Sequence, residues 1–85
     1  MFYMYILKSK KDGNLYIGST NDLRRRIKEH NKGKVISTSL RKPLELLYYE
    51  AYKPEKDARH REKNLKLRSR ALEQLKRRLV DSFKS

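Results

Sequence analysis

Five polar residues lie at positions where a plain amphipathic pattern would place apolar side chains: Tyr5, Tyr16, Arg26, His30 and Glu62. A carboxylate such as that of Glu62 can hold a hard divalent cation, which would polarise a phosphate group and stabilise the departing oxygen. The guanidinium of Arg26 can pair with phosphate oxygens and offset developing negative charge. A tyrosine or His30 can accept a proton from an attacking water molecule. These residue types suit the hydrolysis of a phosphodiester bond.

Each of the five residues also has a structural explanation. Tyrosines commonly pack in a core with the hydroxyl at its rim. Arg26 is compatible with a solvated basic helix face, and a histidine such as His30 is favoured near a helix C-terminus by the helix dipole. Glu62 is placed to form a helix salt bridge with Arg59 or Lys66. The residue types alone therefore leave catalysis and packing open.

The composition favours a polyanionic partner. The 85 residues include 23 Lys and Arg against 10 Asp and Glu, which gives a formal net charge of +13. Such an excess indicates nucleic acid first and an acidic membrane second. The basic residues that we predict to contact nucleic acid are Arg24, Lys34, Arg41, Lys42 and Lys66.

The same composition excludes several classes of protein. No cysteine is present, which rules out a disulfide scaffold, a thiolate zinc site and a cysteine nucleophile. Two histidines argue against a histidine-based zinc cluster. No apolar stretch approaches the roughly 20 residues that span a bilayer, and the apolar opening precedes the first lysines, unlike a secretory signal. We expect one cytoplasmic domain over residues 1–85 that does not associate with a membrane.

The first 33 residues predict a hairpin followed by a helix. Residues 2–7 and 15–18 have strand composition, and Asp12-Gly13 is a turn signal. With these two residues at the centre of the turn, Ser9 pairs with Tyr16, and one face of the sheet carries Tyr3, Tyr5, Leu7 and Tyr16. A helix follows over about residues 21–32, with Leu23, Ile27 and His30 facing inward, Arg26 along the edge and Gly33 at its C-terminus.

The remaining residues predict a third strand and two helices. Residues 34–42 form a loop, and the continuous apolar run of residues 44–52 indicates an inner strand covered on both faces. A helix begins at Pro54, with Ala58, Arg61, Glu62 and Leu65 on its inward stripe. Because a buried unpaired charge is costly, we expect Glu62 to pair with Arg26, a lysine or a metal ion.

The last helix begins with Ser69 as its cap. Its apolar positions are Leu72, Leu75, Leu79, Val80 and Phe83. The fold class is therefore α+β, with a three-stranded antiparallel sheet flanked by helices in the order β-β-α-β-α-α.

Several segments resemble the GIY-YIG nuclease family, and specifically its small stand-alone bacterial members, the UPF0213-like group related to excinuclease catalytic domains. They are residues 3–6, 16–30, 43–50 and 58–66, which together run through most of residues 2–67. The specific part is the spacing of Tyr16-Ile17-Gly18, Arg26 and His30. Tyr3 occupies the glycine position of the family's first motif, a variation typical of the stand-alone group.

The resemblance implies roles for the five residues. The tyrosine of the family's first motif falls on Tyr5, and that of the second motif falls on Tyr16. The helix arginine falls on Arg26, and the histidine or tyrosine one turn later falls on His30. The metal-binding glutamate falls on Glu62. It implies one Mg²⁺ or Mn²⁺ ion, a water nucleophile and DNA as the usual substrate. Tyr5 or His30 then serves as the base, Tyr16 orients water or phosphate, and Gly18 allows the strand to pack closely against the helix.

One departure from the family pattern keeps alternatives open. Many active members carry a late asparagine, for which no match follows Glu62, since Asn64 lies on the same helix turn. The leading prediction is a divalent-metal-dependent endonuclease that hydrolyses DNA phosphodiester bonds. The alternative is a noncatalytic DNA- or RNA-binding module that retains the nuclease fold. A subunit that acts with a protein partner is a third possibility.

Overall fold

A three-stranded antiparallel sheet organises the chain in the computed structural model, which describes residues 1–84. The strands are β1 (Phe2–Ser9), β2 (Leu15–Thr20) and β3 (Leu44–Tyr52), and the helices are α1 (Leu23–Asn31), α2 (Glu55–Leu67), α3 (Ser69–Arg78) and α4 (Val80–Lys84). A 3₁₀ turn spans Ile36–Thr38 between α1 and β3. The predicted α+β class and antiparallel sheet are confirmed. Within residues 1–84, no helix is long and apolar enough to span a bilayer.

The hairpin register differs from the predicted one by two residues. Leu7, rather than Ser9, lies opposite Tyr16, and Tyr5 lies opposite Gly18. The turn is longer than Asp12-Gly13 alone, because the Ser9 hydroxyl accepts the N–H of residues 11 and 12 and the Ser9 carbonyl accepts that of Gly13. A shift of two keeps every side chain on its predicted face, because facing alternates with period two. The shared face of Tyr5, Leu7 and Tyr16 is therefore confirmed.

The sheet order is β2-β1-β3, so the prediction that β3 is an inner strand is wrong. The central strand is β1, in which Met4, Tyr5, Ile6 and Leu7 are fully buried. The edge strand β3 is mostly half-buried and exposes Tyr49. A continuous apolar run fits either a strand covered on both faces or an edge strand that helices partly cover.

The two faces of the sheet carry separate apolar clusters. On one face Tyr5, Leu7 and Leu44 pack with Leu23 and Ile27 of α1. On the other face the core is formed by Met4, Ile6, Ile17, Leu65 and Leu75, with residues of α3 and α4 against it. Helices α1 and α2 therefore lie on opposite sides of the sheet, and residues of both line a cleft at the end of the edge strand β2.

The predicted last helix is two helices, and its predicted cap is wrong. Ser69 is the first residue of α3, and Arg68 is the N-cap. The chain bends at Leu79, whose φ and ψ of −125° and 45° are not helical. Leu72, Leu79 and Phe83 pack on the core, while Val80 is 49% exposed. The bend explains the difference, since it turns Val80 outward and returns Phe83 to the core.

A partly buried ion pair fixes α2 against β3. Glu50 accepts hydrogen bonds from Arg61 Nε at 2.9 Å and from the hydroxyls of Tyr48, at 2.7 Å, and Tyr52. Burial raises the pKa of Glu50, but the hydrogen bonds from Arg61, Tyr52 and Tyr48 outweigh it and hold the pKa below its ordinary value. Arg61 directly precedes Glu62, so this cluster also sets the rotation of α2 that aims Glu62.

We expect Glu50→Gln to lower the free energy of unfolding by about 1–2 kcal/mol at neutral pH, because the hydrogen bonds from Arg61, Tyr48 and Tyr52 lose their charged acceptor. Because the folded-state pKa of Glu50 is depressed, its charged carboxylate stabilises the fold at pH values above the ordinary glutamate pKa of 4.5. This stabilisation is lost as the pH falls through the lowered pKa. The difference between wild type and variant should therefore narrow below about pH 4.5 in urea denaturation. The control is Glu73→Gln, which removes an exposed pair with Lys76 and should have no measurable effect. A constant difference down to pH 3 would contradict the linkage.

Candidate active site

The hydroxyl of Tyr5 lies at the centre of the site. Tyr5 is 1% exposed, and its hydroxyl hydrogen-bonds to Nε2 of His30 at 2.8 Å. Its ring covers Gly18 on the neighbouring strand, where a Cβ would lie 2.6 Å from the Tyr5 hydroxyl and 3.1 Å from the Tyr16 ring. The predicted need for a small residue at Gly18 therefore has a different cause: Gly18 makes room for two tyrosine rings, rather than for a helix.

His30 is fully buried, and both of its ring nitrogens are engaged. Nε2 contacts Tyr5, and Nδ1 lies 2.7 Å from the hydroxyl of Thr38 in the 3₁₀ turn. Burial, with a smaller effect of the nearby Arg26 charge, lowers the pKa of His30 to about 4. Burial also raises the pKa of Tyr5 to about 12, although a hydrogen bond with Arg26 opposes this. Both groups are therefore neutral near pH 7.

Tyr16 forms the outer wall of this cluster. Its ring centroid lies 4.9 Å from that of His30 and 6.3 Å from that of Tyr5. Tyr16 is half-buried, so it is more accessible to a ligand than Tyr5. The Nζ atom of Lys66 lies 5.9 Å from the Tyr16 ring centroid on the α2 side. The ring therefore connects the buried tyrosine–histidine pair with the charged groups of α2.

Arg26 is held by a carboxylate one turn further along α1. Its NH1 atom donates to Glu29 Oε1 at 3.0 Å, and Arg25 lies 3.6 Å from the other oxygen of the same carboxylate. The side chain of Arg26 is 35% exposed. The pKa of Arg26 is raised by the hydrogen bond with Glu29 and, after the opposing effect of burial, by that with Tyr5. Arg26 thus stands between the buried Tyr5 and the surface.

Glu62 approaches the cluster from the opposite face of the sheet. Its Oε1 accepts a hydrogen bond from Ser19 Oγ at 2.6 Å, and its Oε2 pairs with Lys66 Nζ at 2.6 Å. Of the partners considered for Glu62, the structure therefore supplies a lysine. The chain of contacts from Glu62 through Lys66 to Tyr16 passes around β2. The negative charge of Glu62 also makes a small contribution to the raised pKa of Tyr5. All five residues border one region, but four form its α1 side and Glu62 alone its α2 side.

Two clefts open beside this region and share Ser19 and Arg59. The first, of about 290 Å³, lies between the end of β2 and the N-terminal turns of α1 and α2, and its lining includes Arg25 and Arg26. The second adjoins it along α2 and is lined in part by Glu62 and Lys66. An anionic chain that follows both clefts would therefore meet Arg26 and Glu62 in turn.

The residues predicted to contact nucleic acid differ in availability. Arg24, Lys34 and Lys42 have exposed side chains. Arg41 is held by Asp12, at 2.8 Å, which ties the loop before β3 to the hairpin turn. Lys66 is exposed but paired with Glu62.

Three residues in the site had no predicted role. Ser19 of β2 donates a hydrogen bond to Glu62, and no local sequence pattern indicates this contact. Glu29 holds Arg26, and its spacing of three along the helix was an available signal. Thr38 holds His30 from a loop without periodicity, so no sequence signal indicates it.

The chain belongs to the GIY-YIG family, because the pattern of the GIY-YIG catalytic domain matches residues 1–77. Its relatives are UPF0213 proteins. It is 43% identical over 65 residues to a UPF0213 protein from Bacillus pumilus. This match covers 75% of this chain and 65% of that protein. It is 45% identical over 67 residues to a UPF0213 protein from Clostridium perfringens. This match covers 78% of this chain and 71% of that protein. The chain thus spans just under two thirds of the Bacillus pumilus protein.

A solved structure agrees with the fold. The solution NMR structure of a UPF0213 protein from Bacillus halodurans matches with a TM-score of 0.53 and 40% sequence identity. The match covers 88% of this chain and 82% of that chain. The expected resemblance to the small UPF0213-like members of the family is therefore confirmed.

We expect Gly18→Ala to lower the free energy of unfolding by about 1–3 kcal/mol, because the new Cβ would overlap the Tyr5 ring, which His30 holds in place. The measurement is urea denaturation of the single variants and the double variant with Tyr5→Leu. In the Tyr5→Leu background, Gly18→Ala should lower the free energy of unfolding by much less, because the overlapping ring is gone. Equal costs in both backgrounds would refute this account of Gly18.

Proposed function

We propose that this chain is an endonuclease that hydrolyses DNA phosphodiester bonds with the help of one divalent metal ion. The observation that carries the proposal is the arrangement at β2, where Arg26 and Glu62 line adjoining clefts and a buried tyrosine–histidine pair lies behind Arg26. Membership of the GIY-YIG family supports nuclease chemistry. The net charge of +13 supports a polyanionic substrate.

Arg26 binds the phosphate to be cleaved. Its guanidinium pairs with Glu29 through the NH1 atom. A guanidinium offers several N–H donors, so it can keep Glu29 on one edge while it binds phosphate on another. As negative charge builds up on phosphorus-bound oxygens, the interaction strengthens, which lowers the barrier.

Tyr5 receives the proton of the attacking water. Gly18, His30 and Arg26 enclose its hydroxyl, so a shift of Arg26 toward the substrate opens it. The water O–H bond breaks as the new P–O bond forms, its proton passes to the Tyr5 oxygen, and the original Tyr5 proton passes to Nε2 of His30. The leaving oxygen keeps the electron pair of the broken P–O bond and takes a proton from solvent. A phosphate paired with Arg26 offsets the positive charge that lowers the pKa of His30, which makes His30 a better acceptor.

The donor set of Glu62 fits a single hard cation rather than a protein cage. Within residues 1–84, no group of three or more His, Asp or Glu side chains is placed to hold a metal. Mg²⁺ is commonly bound through one or two carboxylates, with waters and substrate phosphates completing its shell. Glu62 would hold such an ion, with Ser19 orienting the carboxylate. When bound, Mg²⁺ or Mn²⁺ supplies charge that stabilises the leaving oxygen.

One observation favours the noncatalytic alternative. Both oxygens of Glu62 are already engaged, one by Ser19 and the other by Lys66. A metal ion must displace the Lys66 ammonium, and if it does not, the basic surface would bind DNA or RNA without cutting it. Because exposed helix ion pairs contribute only about 0.3–0.5 kcal/mol, displacement by a divalent ion is the outcome we expect.

We expect the purified protein to cleave plasmid or branched DNA when Mg²⁺ or Mn²⁺ is present, and Arg26→Ala and Glu62→Gln each to lower the rate by at least about 100-fold. The matched controls are Arg70→Ala and Glu73→Gln on α3, which change charge equally and should keep the rate. Cleavage that survives both site substitutions would exclude this site. Salt-sensitive DNA binding without cleavage in any metal would establish the noncatalytic alternative.

We expect Mn²⁺ to broaden the amide NMR signals around Glu62 and Ser19 most strongly and those of Tyr5 and Tyr16 less, because paramagnetic broadening falls steeply with distance. Glu62→Gln should abolish the local broadening, since it removes the anionic ligand. Glu73→Gln should leave it unchanged. Broadening that is uniform, or that persists in Glu62→Gln, would exclude Glu62 as the metal ligand.

A further inference from the structure

Thr38 is buried against His30, whose side chain is also fully buried. Its relative exposure is 0%, and its hydroxyl lies 2.7 Å from Nδ1 of His30. The 3₁₀ turn that carries it is held by the Thr38 N–H bound to the Val35 carbonyl and by the Arg41 N–H bound to the Thr38 carbonyl. The Thr38 hydroxyl is thus presented to His30 by a locally fixed backbone.

A neutral imidazole carries its proton on one nitrogen only, so the two hydrogen bonds of His30 must run in one direction. In the first arrangement Nδ1–H donates to Thr38, and Nε2 accepts the proton of Tyr5. In the second arrangement Thr38 donates to Nδ1, and Nε2–H donates to the Tyr5 oxygen.

The surrounding acceptors favour the first arrangement. There the Thr38 hydroxyl proton is directed at the Val35 carbonyl, 3.5 Å away, and the Tyr5 proton at Nε2. In the second arrangement the Tyr5 oxygen accepts from His30 while it also interacts with Arg26, and its own proton has no acceptor among the residues that the structure describes. A buried donor without an acceptor costs about 1–3 kcal/mol.

We propose that Thr38 is a positioning residue, which fixes His30 in the Nδ1–H tautomer so that Nε2 accepts the proton of Tyr5. The Tyr5 oxygen then turns its lone pairs toward Arg26. The second tautomer would instead fill a lone pair of Tyr5 with the His30 proton and leave nothing to accept the Tyr5 proton. The catalytic consequence rests on the proposed nuclease function, but the tautomer itself does not.

The test is the ¹⁵N spectrum of the histidine ring nitrogens at neutral pH. The exposed His60 is removed by His60→Gln, so that His30 alone contributes. We expect the wild-type ring to show a protonated Nδ1 and an unprotonated Nε2. Thr38→Ser keeps the hydroxyl and should keep this pattern, while Thr38→Val removes it and should move the proton wholly or partly to Nε2. Ser39→Ala, which removes a neighbouring hydroxyl bonded to the Ile36 carbonyl, is the matched control and should change nothing.

Two outcomes would overturn the proposal: a protonated Nε2 in the protein with Thr38 intact, or an unchanged Nδ1–H tautomer in folded Thr38→Val. If Thr38→Val does not fold, the pattern with Thr38 intact and in Thr38→Ser still decides the tautomer.

Cleavage assays separate this role from the proposed function. If the chain is a nuclease, Thr38→Val should lower turnover about 10- to 100-fold, as loss of an orienting partner commonly does. Thr38→Ser should restore it to within about threefold, and Ser39→Ala should leave it unchanged. A protein with the Nδ1–H tautomer but no cleavage in any metal would refute the nuclease function and keep the positioning of His30. Cleavage that is equal in Thr38→Val and wild type would refute the positioning role alone.

Discussion

The burial of one phenol hydroxyl constrains the whole site. Tyr5 lies on the central strand with 1% of its surface exposed, and an unpartnered buried hydroxyl would cost about 1–3 kcal/mol. Its partner is His30, so α1 must pack on this face with its last turn over β1. The ring needs the space above β2, so the residue opposite must be Gly18. His30 in turn needs an acceptor or donor for its second nitrogen, and Thr38 provides it from the loop beyond α1.

Ion pairs surround this neutral centre in spite of the large net positive charge. Glu29 holds Arg26, and Lys66 is held by Glu62. Each pair is partly exposed, so a phosphate or a cation can compete with it at small cost. The position of Glu62 also depends on Arg61, because the partly buried pair of Arg61 with Glu50 anchors α2 to β3. The site thus combines a buried neutral pair with partly exposed ion pairs around it.

Much of this arrangement follows from local patterns. The alternation of β1 and β2 placed Tyr5 and Tyr16 on one face, and the two-residue error in register did not disturb this because facing repeats every two residues. The helical spacing of four placed Arg26 and His30 side by side on α1, with His30 inward. The α+β class followed from the order of the elements, and the motif spacing identified the family.

Long-range contacts decided the rest. No local signal distinguishes an inner strand from a half-covered edge, so the place of β3 depended on what packs against it. The pairing of Arg41 with Asp12 and of Thr38 with His30 joins segments whose relative position is set by the folded sheet. The sequence by itself determined which residues face the same way within each element. Only the tertiary structure decided which hydroxyl meets which imidazole nitrogen, because that depends on how elements distant along the chain pack together.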